Sequence, residues 1–553
     1  MEQKRFVLAM VLSGLVLLVW QVFFAPKPGE LVPATTPERR VEKVEVTPEP
    51  RPDQPPVVDR QPDERETPPS ARQIAVRTDT LVTPHFKVEL TNRDAAVQSV
   101  HIIDPEQYSR RGDLLNAFPE DSPYRPFSIA FLDSTVLSVP QGTVFELIDT
   151  ESVRSGNGYS RITYRYQDPR NRYDIDKIFS IDAEQPFVIN MDVRINNRHV
   201  DTLGARLAVD VFGTPDPSVE RNFLDFRPDE LEGVCRLLDD TERYLFQKVE
   251  DKTQLFTAQT IWGAIDTRYF LLANVPADRA ARCEISRVDS MYMRTRVTSE
   301  SFTVAPSMTL TQSHLLYMGP KDYGVLSDIG HRLEESVDYG LLTVLARPLR
   351  WLLVLFNGWV GNWGLAIILL TLLIKIVTWP ITDKAYVNAE RMKLIQPKLQ
   401  EVKKKYENDQ QRMTEETMKL FKEHNVSALG CLPMLIQMPV LYGLFVMIYN
   451  SVELYQAHFA LWYVDLSAPD PYFVLPILMG AIMVIQQRMT TIDTGNAQMA
   501  MMMKIMPIVF TAFMLFLPSG LVLYYFVNLV LGLGQQVWIK RKFARAAQAG
   551  AAI

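Results

Sequence analysis

The chain has 553 residues, 47% of them hydrophobic, and a formal net charge of −6. That total hides an asymmetry: Lys and Arg outnumber Asp and Glu by 19 to 12 from residue 340 onward, and are outnumbered by 52 to 39 before it. An acidic half joined to a basic, hydrophobic half excludes a single globular domain, and we expect no specific nucleic acid as a partner.

The N-terminal region predicts a membrane anchor followed by a tether. Lys4 and Arg5 precede an apolar run over 6–24 that is long enough to cross a bilayer. A cleavable signal has a shorter core and a small-residue exit, so we predict an uncleaved anchor over 1–25 with a cytoplasmic N-terminus. Residues 26–73 contain twelve prolines and little apolar surface, which predicts a disordered periplasmic linker.

From about residue 74, apolar and polar side chains alternate, as in 86–90 and 187–195. Such runs, separated by turn-forming clusters, predict a large periplasmic antiparallel β-sandwich over 74–335. No catalytic set is recognisable there, because its histidines are scattered and have no partner by motif. A groove for carbohydrate or peptide is an open alternative for this domain.

The three cysteines, Cys235, Cys283 and Cys431, do not have the spacing of a metal site. Cys235 and Cys283 fall in the predicted periplasmic domain, where a disulfide is chemically permitted. The sequence does not show whether the two residues are close in space. We expect two free buried thiols there, and neither a metal nor a cofactor in the chain.

The basic half predicts an interfacial helix and five further membrane spans. Residues 341–357 are interrupted by Arg347, Pro348 and Arg350, so they fit an amphipathic helix with its arginines toward the head groups. Six spans in all place every cluster of Lys and Arg that flanks a span on the cytoplasmic side, with both termini in the cytoplasm. The predicted segments are an interfacial helix at 336–358, spans at 359–380, 429–450, 473–488, 498–517 and 519–540, a cytoplasmic helical hairpin at 381–428, a periplasmic loop at 451–472, and a basic cytoplasmic tail at 541–553.

Lys375 lies inside the span 359–380, where a lysine costs about 2.5–3.5 kcal/mol. It either snorkels to the interface near Pro380 or faces a wet cavity between helices. Thr371 shares its helix face. Other polar residues of the spans are Gln437, Gln486, Gln487, Tyr524, Tyr525, Asn528, Gln535 and Gln536. Together they predict a positively charged groove open to the cytoplasm and to lipid, although hydrogen bonding between helices would explain each one singly.

The hairpin 381–428 has apolar residues at four- and three-residue spacing, which predicts two helices packed on each other. Its outer faces are charged. The candidate docking residues for a partner are Lys398, Lys403, Lys404 and Lys405. An ordinary solvated surface is the alternative interpretation of these lysines.

Four stretches closely resemble the YidC family of membrane protein insertases of Gram-negative bacteria. They are LGCLPMLIQMP at 429–439, FALW with DLS at 459–467, LPILMG at 475–480 and LPSGLVLYY at 517–525. The resemblance covers the whole chain and implies a polytopic α-helical membrane protein with a five-helix insertase core and a large periplasmic antiparallel β-sandwich. It also implies a non-enzymatic chaperone that inserts and folds proteins in the bacterial inner membrane, alone or with the Sec translocon.

The implied partners are nascent membrane proteins, the Sec translocon, the ribosome, the signal-recognition targeting machinery and membrane lipid. The family's groove arginine aligns with Lys375, which keeps the charge but loses the planar fork. Thr371, Tyr524 and Tyr525 carry over by motif. Two alternatives come from other classes: a secondary transporter, which would show repeated halves that we do not find, and a passive scaffold that depends on the periplasmic domain.

Overall fold

The computed structural model describes residues 74–548. The ranges left out within them are 104–113, 116–121, 153–158, 182–184, 216–230, 250–251, 279, 290, 341–342, 407–408, 425, 427–431 and 491–496. The predicted anchor over 1–25 and the predicted linker over 26–73 lie outside the described residues.

Strands dominate the first half of the described chain. They are β1 Thr78–Val82, β2 Phe86–Thr91, β3 Ala96–Ile102, β4 Leu114–Leu115, β5 Ser128–Leu132, β6 Glu146–Ser152, β7 Tyr159–Gln167, β8 Tyr173–Ile181, β9 Val188–Asn197, β10 Leu203–Gly213, β11 Glu232–Leu237, β12 Thr241–Leu245, β13 Gln254–Phe256, β14 Thr260–Asp266, β15 Phe270–Pro276, β16 Arg282–Val288, β17 Tyr292–Thr298, β18 Phe302–Val304 and β19 Thr309–Pro320.

These strands form two sheets. The larger has the order β12-β11-β14-β15-β19-β9-β8-β7-β1-β2-β3-β4, with β6 also paired to β7. The smaller has the order β13-β16-β17-β10-β18, with β5 also paired to β10. Apart from one parallel contact, between Leu81 of β1 and Tyr159 of β7, the pairings are antiparallel. The predicted β-sandwich is therefore confirmed.

The alternating patterns gave the buried faces correctly. In β9 the residues Ile189, Met191, Val193 and Ile195 are buried, and the polar residues between them are partly exposed. Phe187 is an exception, because it precedes β9 with a φ of 62° and packs over Gly319 instead of continuing the strand. Its apolar character nonetheless places it in the core.

A disulfide joins the two sheets, so the expectation of free thiols is wrong. Cys235 of β11 and Cys283 of β16 are bonded, with their Cα atoms 6.1 Å apart. The sheets approach closely here, since a Cβ at Gly263 of β14 would lie 2.4 Å from Val297 of β17. Because Gly263 has no side chain, the two sheets can approach closely at this point. Their close approach brings the two sulfurs within bonding distance.

Helices make up the second half of the described chain. They are α1 Tyr323–Ile329, α2 Thr343–Val360, α3 Trp363–Lys405, α4 Gln410–Glu423, α5 Leu432–Asn450, α6 Val474–Thr490, α7 Ala497–Met514 and α8 Ser519–Gln548, with short 3₁₀ turns at Leu333–Ser336 and Val452–Leu454.

The predicted interfacial helix corresponds to α2, which runs through Pro348 without a break. Its buried residues are spaced for one face of a helix: Ala346, Leu349, Leu353 and Phe356. One detail of the prediction is wrong. Arg350 does not point toward head groups, because it is largely buried and forms ion pairs with Asp322, at 3.4 Å, and with Glu453.

The helix that carries Lys375 is longer than predicted. It continues through Pro380 and Pro397 to Lys405, so the first arm of the predicted hairpin is the end of α3 itself. The second arm, α4, packs against it. Among the described residues, two helices are long and apolar enough to cross a membrane, over Trp363–Val402 and Ser519–Phe543. The count of six spans therefore stays a prediction.

Candidate functional site

The candidate site lies where α3, α6 and α8 meet. Helix α3 begins at Trp363 and is capped by Asn362, whose side chain accepts a hydrogen bond from Leu365 N at 3.0 Å. Its apolar first half packs along α8, and α8 also contacts α6. This packing turns the polar residues of three helices toward a common interior.

Lys375 points into that interior. The residue is 7% exposed, and its Nζ lies 3.5 Å from the position that a Cβ on Gly532 of α8 would occupy. Tyr386 Oη lies 3.1 Å and Gln486 Nε2 3.5 Å from the same point. The Gln486 amide also donates a hydrogen bond of 3.3 Å to the Tyr386 hydroxyl. We call Lys375, Tyr386, Gln486 and Gly532 the inner polar cluster.

The electrostatics of this cluster are simple. It carries one positive charge, and the Lys375 ammonium forms no ion pair or hydrogen bond with the described residues. Gly532 presents only its backbone, so the ammonium faces a gap where any other residue would place a side chain. A buried lysine without a partner is costly, and such residues inside membrane spans usually mark a functional path.

A second polar connection lies further along α3. Thr382 Oγ1 donates to Gln535 Oε1 at 3.1 Å, and Gln535 Nε2 lies 3.5 Å from the Trp379 carbonyl. Gln535 and Gln536 are both buried. These contacts join α3 to α8 beyond Pro380, where the sequence predicted that the membrane helix ends.

The other predicted groove residues do not all reach the cluster. Thr371 is buried, but its hydroxyl donates to its own helix, at 2.7 Å from Ile367 O. Tyr525 packs its ring on Phe510 of α7, with the centroids 5.1 Å apart, and Tyr524 is fully buried. The Gln437 side chain lies outside the described residues.

Sequence reasoning missed Tyr386 and Gly532. Tyr386 follows Lys375 by eleven residues, or three helical turns, so both fall on one face if the helix is continuous. A span that ends at Pro380 and a separate hairpin from residue 381 do not imply this relation. Gly532 is seven residues beyond Tyr525, which is also the spacing of one helix face.

The predicted docking lysines lie on the hairpin. Lys398, Lys404 and Lys405 are exposed, and the Lys403 side chain is not among the described ones. Lys398 Nζ lies 3.3 Å from His424 Nε2 at the end of α4. Ile395, one of the apolar residues of this spacing, is buried. In the described part of the chain, no group of three His, Cys, Asp or Glu residues is placed to bind a metal ion.

Comparison with known proteins decides the family. Residues 355–546 match the family described as 60Kd inner membrane protein, and residues 78–352 match the YidC periplasmic domain. A membrane protein insertase YidC from Syntrophus aciditrophicus is 32% identical over 98% of this chain and 99% of its own length. The chain belongs to the YidC family of membrane protein insertases. As a YidC family member it is an inner-membrane protein with a periplasmic β-domain, and its function is membrane protein insertion rather than enzymatic catalysis.

Solved structures add no further argument. The structure of an active YidC insertase aligns over 82% of this chain and 91% of its own at 18% identity, with a TM-score of 0.37. A galactose mutarotase related enzyme from Lactobacillus acidophilus aligns over 44% of this chain and 97% of its own at 11% identity, with a TM-score of 0.32. Neither likeness bears on the chemistry of this YidC family member.

Proposed function

We propose that the protein inserts its clients through a hydrated, positively charged groove in the cytoplasmic half of the bilayer, with the inner polar cluster as its innermost point. The observation that carries this proposal is the buried Lys375 ammonium, which faces Gly532 and has no partner among the described residues. Water or a client carboxylate would offset the cost of burying that charge.

The mechanism makes and breaks no covalent bond. A polar client segment enters the groove, where Lys375 attracts negative charge while Tyr386 and Gln486 offer hydrogen bonds. Each polar group left unsatisfied in hydrocarbon costs several kcal/mol, so hydration partway across lowers the barrier to translocation. The apolar segment of the client then moves into lipid, and its burial there drives the reaction.

The proposed topology has six spans, with both termini in the cytoplasm and the β-domain in the periplasm. The disulfide between Cys235 and Cys283 supports this side for the β-domain, because disulfides persist in oxidising compartments. The basic clusters at the ends of the apolar helices support the cytoplasmic side for the hairpin.

We further propose that the hairpin docks the ribosome and the signal-recognition targeting machinery, and that the protein works alone or beside the Sec translocon. The exposed amines of Lys398, Lys404 and Lys405 support the first of these, since they project from the hairpin near the end of α3. Their positive charge complements ribosomal RNA and acidic protein surfaces.

The test is insertion of a nascent single-span protein with an acidic leading segment into proteoliposomes. We expect Lys375→Arg to insert it, Lys375→Gln to insert it less efficiently, and Lys375→Glu to fail. Lys504→Glu is the matched control, because it makes the same charge change at an exposed residue of α7. Normal insertion by Lys375→Glu would contradict the electrostatic mechanism. A client with a neutral leading segment tests whether each Lys375 variant is folded, since insertion of that client should depend less on the charge at residue 375.

Crosslinking of stalled nascent chains tests the position of the groove. A probe replacing Tyr386 should trap the polar segment of the client, and a probe at Tyr525, which packs toward α7, should trap its apolar segment. A transporter would instead move a solute in the same vesicles and give no crosslink that depends on the client.

A further inference from the structure

A cavity of about 220 Å³ lies where the β-domain meets the end of α5. The β-domain contributes the turn after β14 and Lys321, and α5 contributes Tyr442, Val446 and Tyr449. In the topology proposed above, this end of α5 lies at the level of the outer-leaflet head groups. The location of the cavity relative to the membrane therefore rests on the proposed function, whereas its chemistry does not.

Arg268 forms a fixed wall of this cavity. Its Nε donates to Tyr449 O at 2.9 Å, and its guanidinium carbon lies 3.5 Å from the centroid of the Tyr449 ring. The residue is only 8% exposed, yet its Nη2 is buried without a hydrogen-bond partner among the described residues. A guanidinium nitrogen in that position is a ready donor to an oxyanion.

The other cations of the cavity are already paired. Arg243 binds Asp266 at 2.8 Å and Glu232 at 3.4 Å, and Lys321 binds Asp266 at 2.8 Å. The Ser336 hydroxyl is a second buried donor that has no partner in the described part of the chain. Arg268, Ser336 and Tyr339, whose hydroxyl is also buried without a partner among the described residues, are thus donors of the wall that can bind a ligand.

The charges of the wall also constrain the ligand. Three cations, Arg243, Arg268 and Lys321, stand against the carboxylates of Glu232, Asp266 and Asp338. A ligand that carries both an anion and a cation preserves this balance, whereas a purely anionic ligand does not. The Glu232 and Asp338 carboxylates are suited to an ammonium beside the anion that Arg268 binds.

An apolar path leads away from the cavity along α5. Tyr442, Val446 and Tyr449 are spaced at four and three residues, so they form one stripe on the helix. Tyr442 is 41% exposed, which leaves the stripe accessible from the side. A path of this kind suits an acyl chain that continues from a bound head group.

We propose that this cavity binds one phospholipid whose head group carries both a phosphate and an ammonium group. A phosphate oxygen accepts from Arg268 Nη2, the ammonium faces the carboxylates, and an acyl chain follows the α5 stripe. Arg268 also caps the C-terminal end of α5 through Tyr449 O, so the test must separate lipid binding from capping alone.

The experiment measures lipid retention by the full-length protein in native mass spectrometry, with phosphatidylethanolamine, phosphatidylglycerol or inorganic phosphate supplied. We expect one phosphatidylethanolamine to be retained, and retention at least tenfold lower for phosphatidylglycerol. Arg268→Gln and Val446→Trp should each reduce phosphatidylethanolamine retention at least tenfold. Arg170→Gln, an exposed arginine of the β-domain, and Val446→Ala are the matched controls and should retain it.

Deuterium uptake by the wild-type protein keeps the result interpretable if a variant folds poorly. In the wild-type protein, phosphatidylethanolamine should slow deuterium uptake at residues 266–268 and 446–450. Equal retention by Val446→Trp and Val446→Ala, equal retention of the two lipids, or protection by inorganic phosphate without any lipid would each overturn the proposal. Insertion by the Lys375 variants is measured on separate samples. A result that contradicts the groove mechanism therefore does not change the lipid-retention result, and a result that contradicts lipid binding does not change the insertion result.

Discussion

Gly532→Ala should separate stability from insertion. Alanine in place of glycine inside a helix stabilises it by about 0.5–1 kcal/mol. At residue 532 the new methyl group would lie 3.1 Å from Tyr386 Oη and 3.5 Å from both Gln486 Nε2 and Lys375 Nζ. These atoms are the tips of side chains that can shift by a few tenths of an ångström. We therefore expect a melting temperature equal to or slightly above that of the wild type.

Insertion should nevertheless fall, because the methyl group fills the gap that Lys375 faces. A hydrogen bond to a charged group is worth about 1.5–3 kcal/mol, and losing one between Lys375 and a client affects only the loaded groove. Every 1.4 kcal/mol is a factor of ten. We expect insertion of a client with an acidic leading segment to decrease by about tenfold. The assay is integration into proteoliposomes, measured as protease protection of the inserted segment.

Gly534→Ala is the matched control, because a Cβ there meets nothing within 4 Å. It lies on the same helix two residues away and should gain the same helix propensity with no loss of insertion. Equal insertion by the Gly532→Ala and Gly534→Ala variants would refute the argument that clients use the gap. A melting temperature several degrees lower for Gly532→Ala alone would show that the cluster is simply close-packed.

Three further predictions concern the β-domain and its junction with the helices. Cys235→Ser should destabilise the β-domain by about 4 kcal/mol, from the 48-residue separation of the bonded cysteines, measured by thermal melting with and without reductant. Burial lowers the pKa of His314 to about 4 from its ordinary 6.5, so only the unfolded state takes up its proton between those values. The free energy of unfolding should fall by about 3 kcal/mol from pH 6.5 to 4, seen as faster hydrogen exchange in β19, and His314→Leu should remove that slope. Arg350→Met should cost about 3–5 kcal/mol, because it leaves the Glu453 carboxylate buried alone, and adding Glu453→Gln should restore part of it in a melting assay.

The β-domain shows what local patterns can and cannot supply. Alternation in β2 and β9 predicted the buried faces, because burial of one face of a strand depends only on neighbours in sequence. The pairing of β9 with β19 joins residues more than a hundred positions apart, such as Ile189 with Leu316, and no local signal specifies it. The disulfide was missed for the same reason, since the packing of one sheet on the other brings its cysteines together.

In the helical part the predicted boundary at Pro380 followed the change from apolar to polar residues, and a proline inside a helix, which costs about 3 kcal/mol, agrees with it. The structure continues the helix there, because both of its halves gain contacts, the first with α8 and the second with α4. The sequence alone does not show these tertiary contacts. Without them the helix is not expected to continue past Pro380, so Lys375 and Tyr386 are not expected on one helix face. The buried cation itself was found from its unusual place in an apolar run.

Because α3 is continuous, one helix connects the exposed hairpin to the inner polar cluster. The helix extends for 43 residues, and the step from Lys375 to Lys398 corresponds to about 35 Å along one axis. The helix continues through both Pro380 and Pro397, so a force on its exposed tip would reach Tyr386 through helical backbone. A partner that binds this tip, as proposed above for the hairpin, would therefore act through one helix on the inner polar cluster.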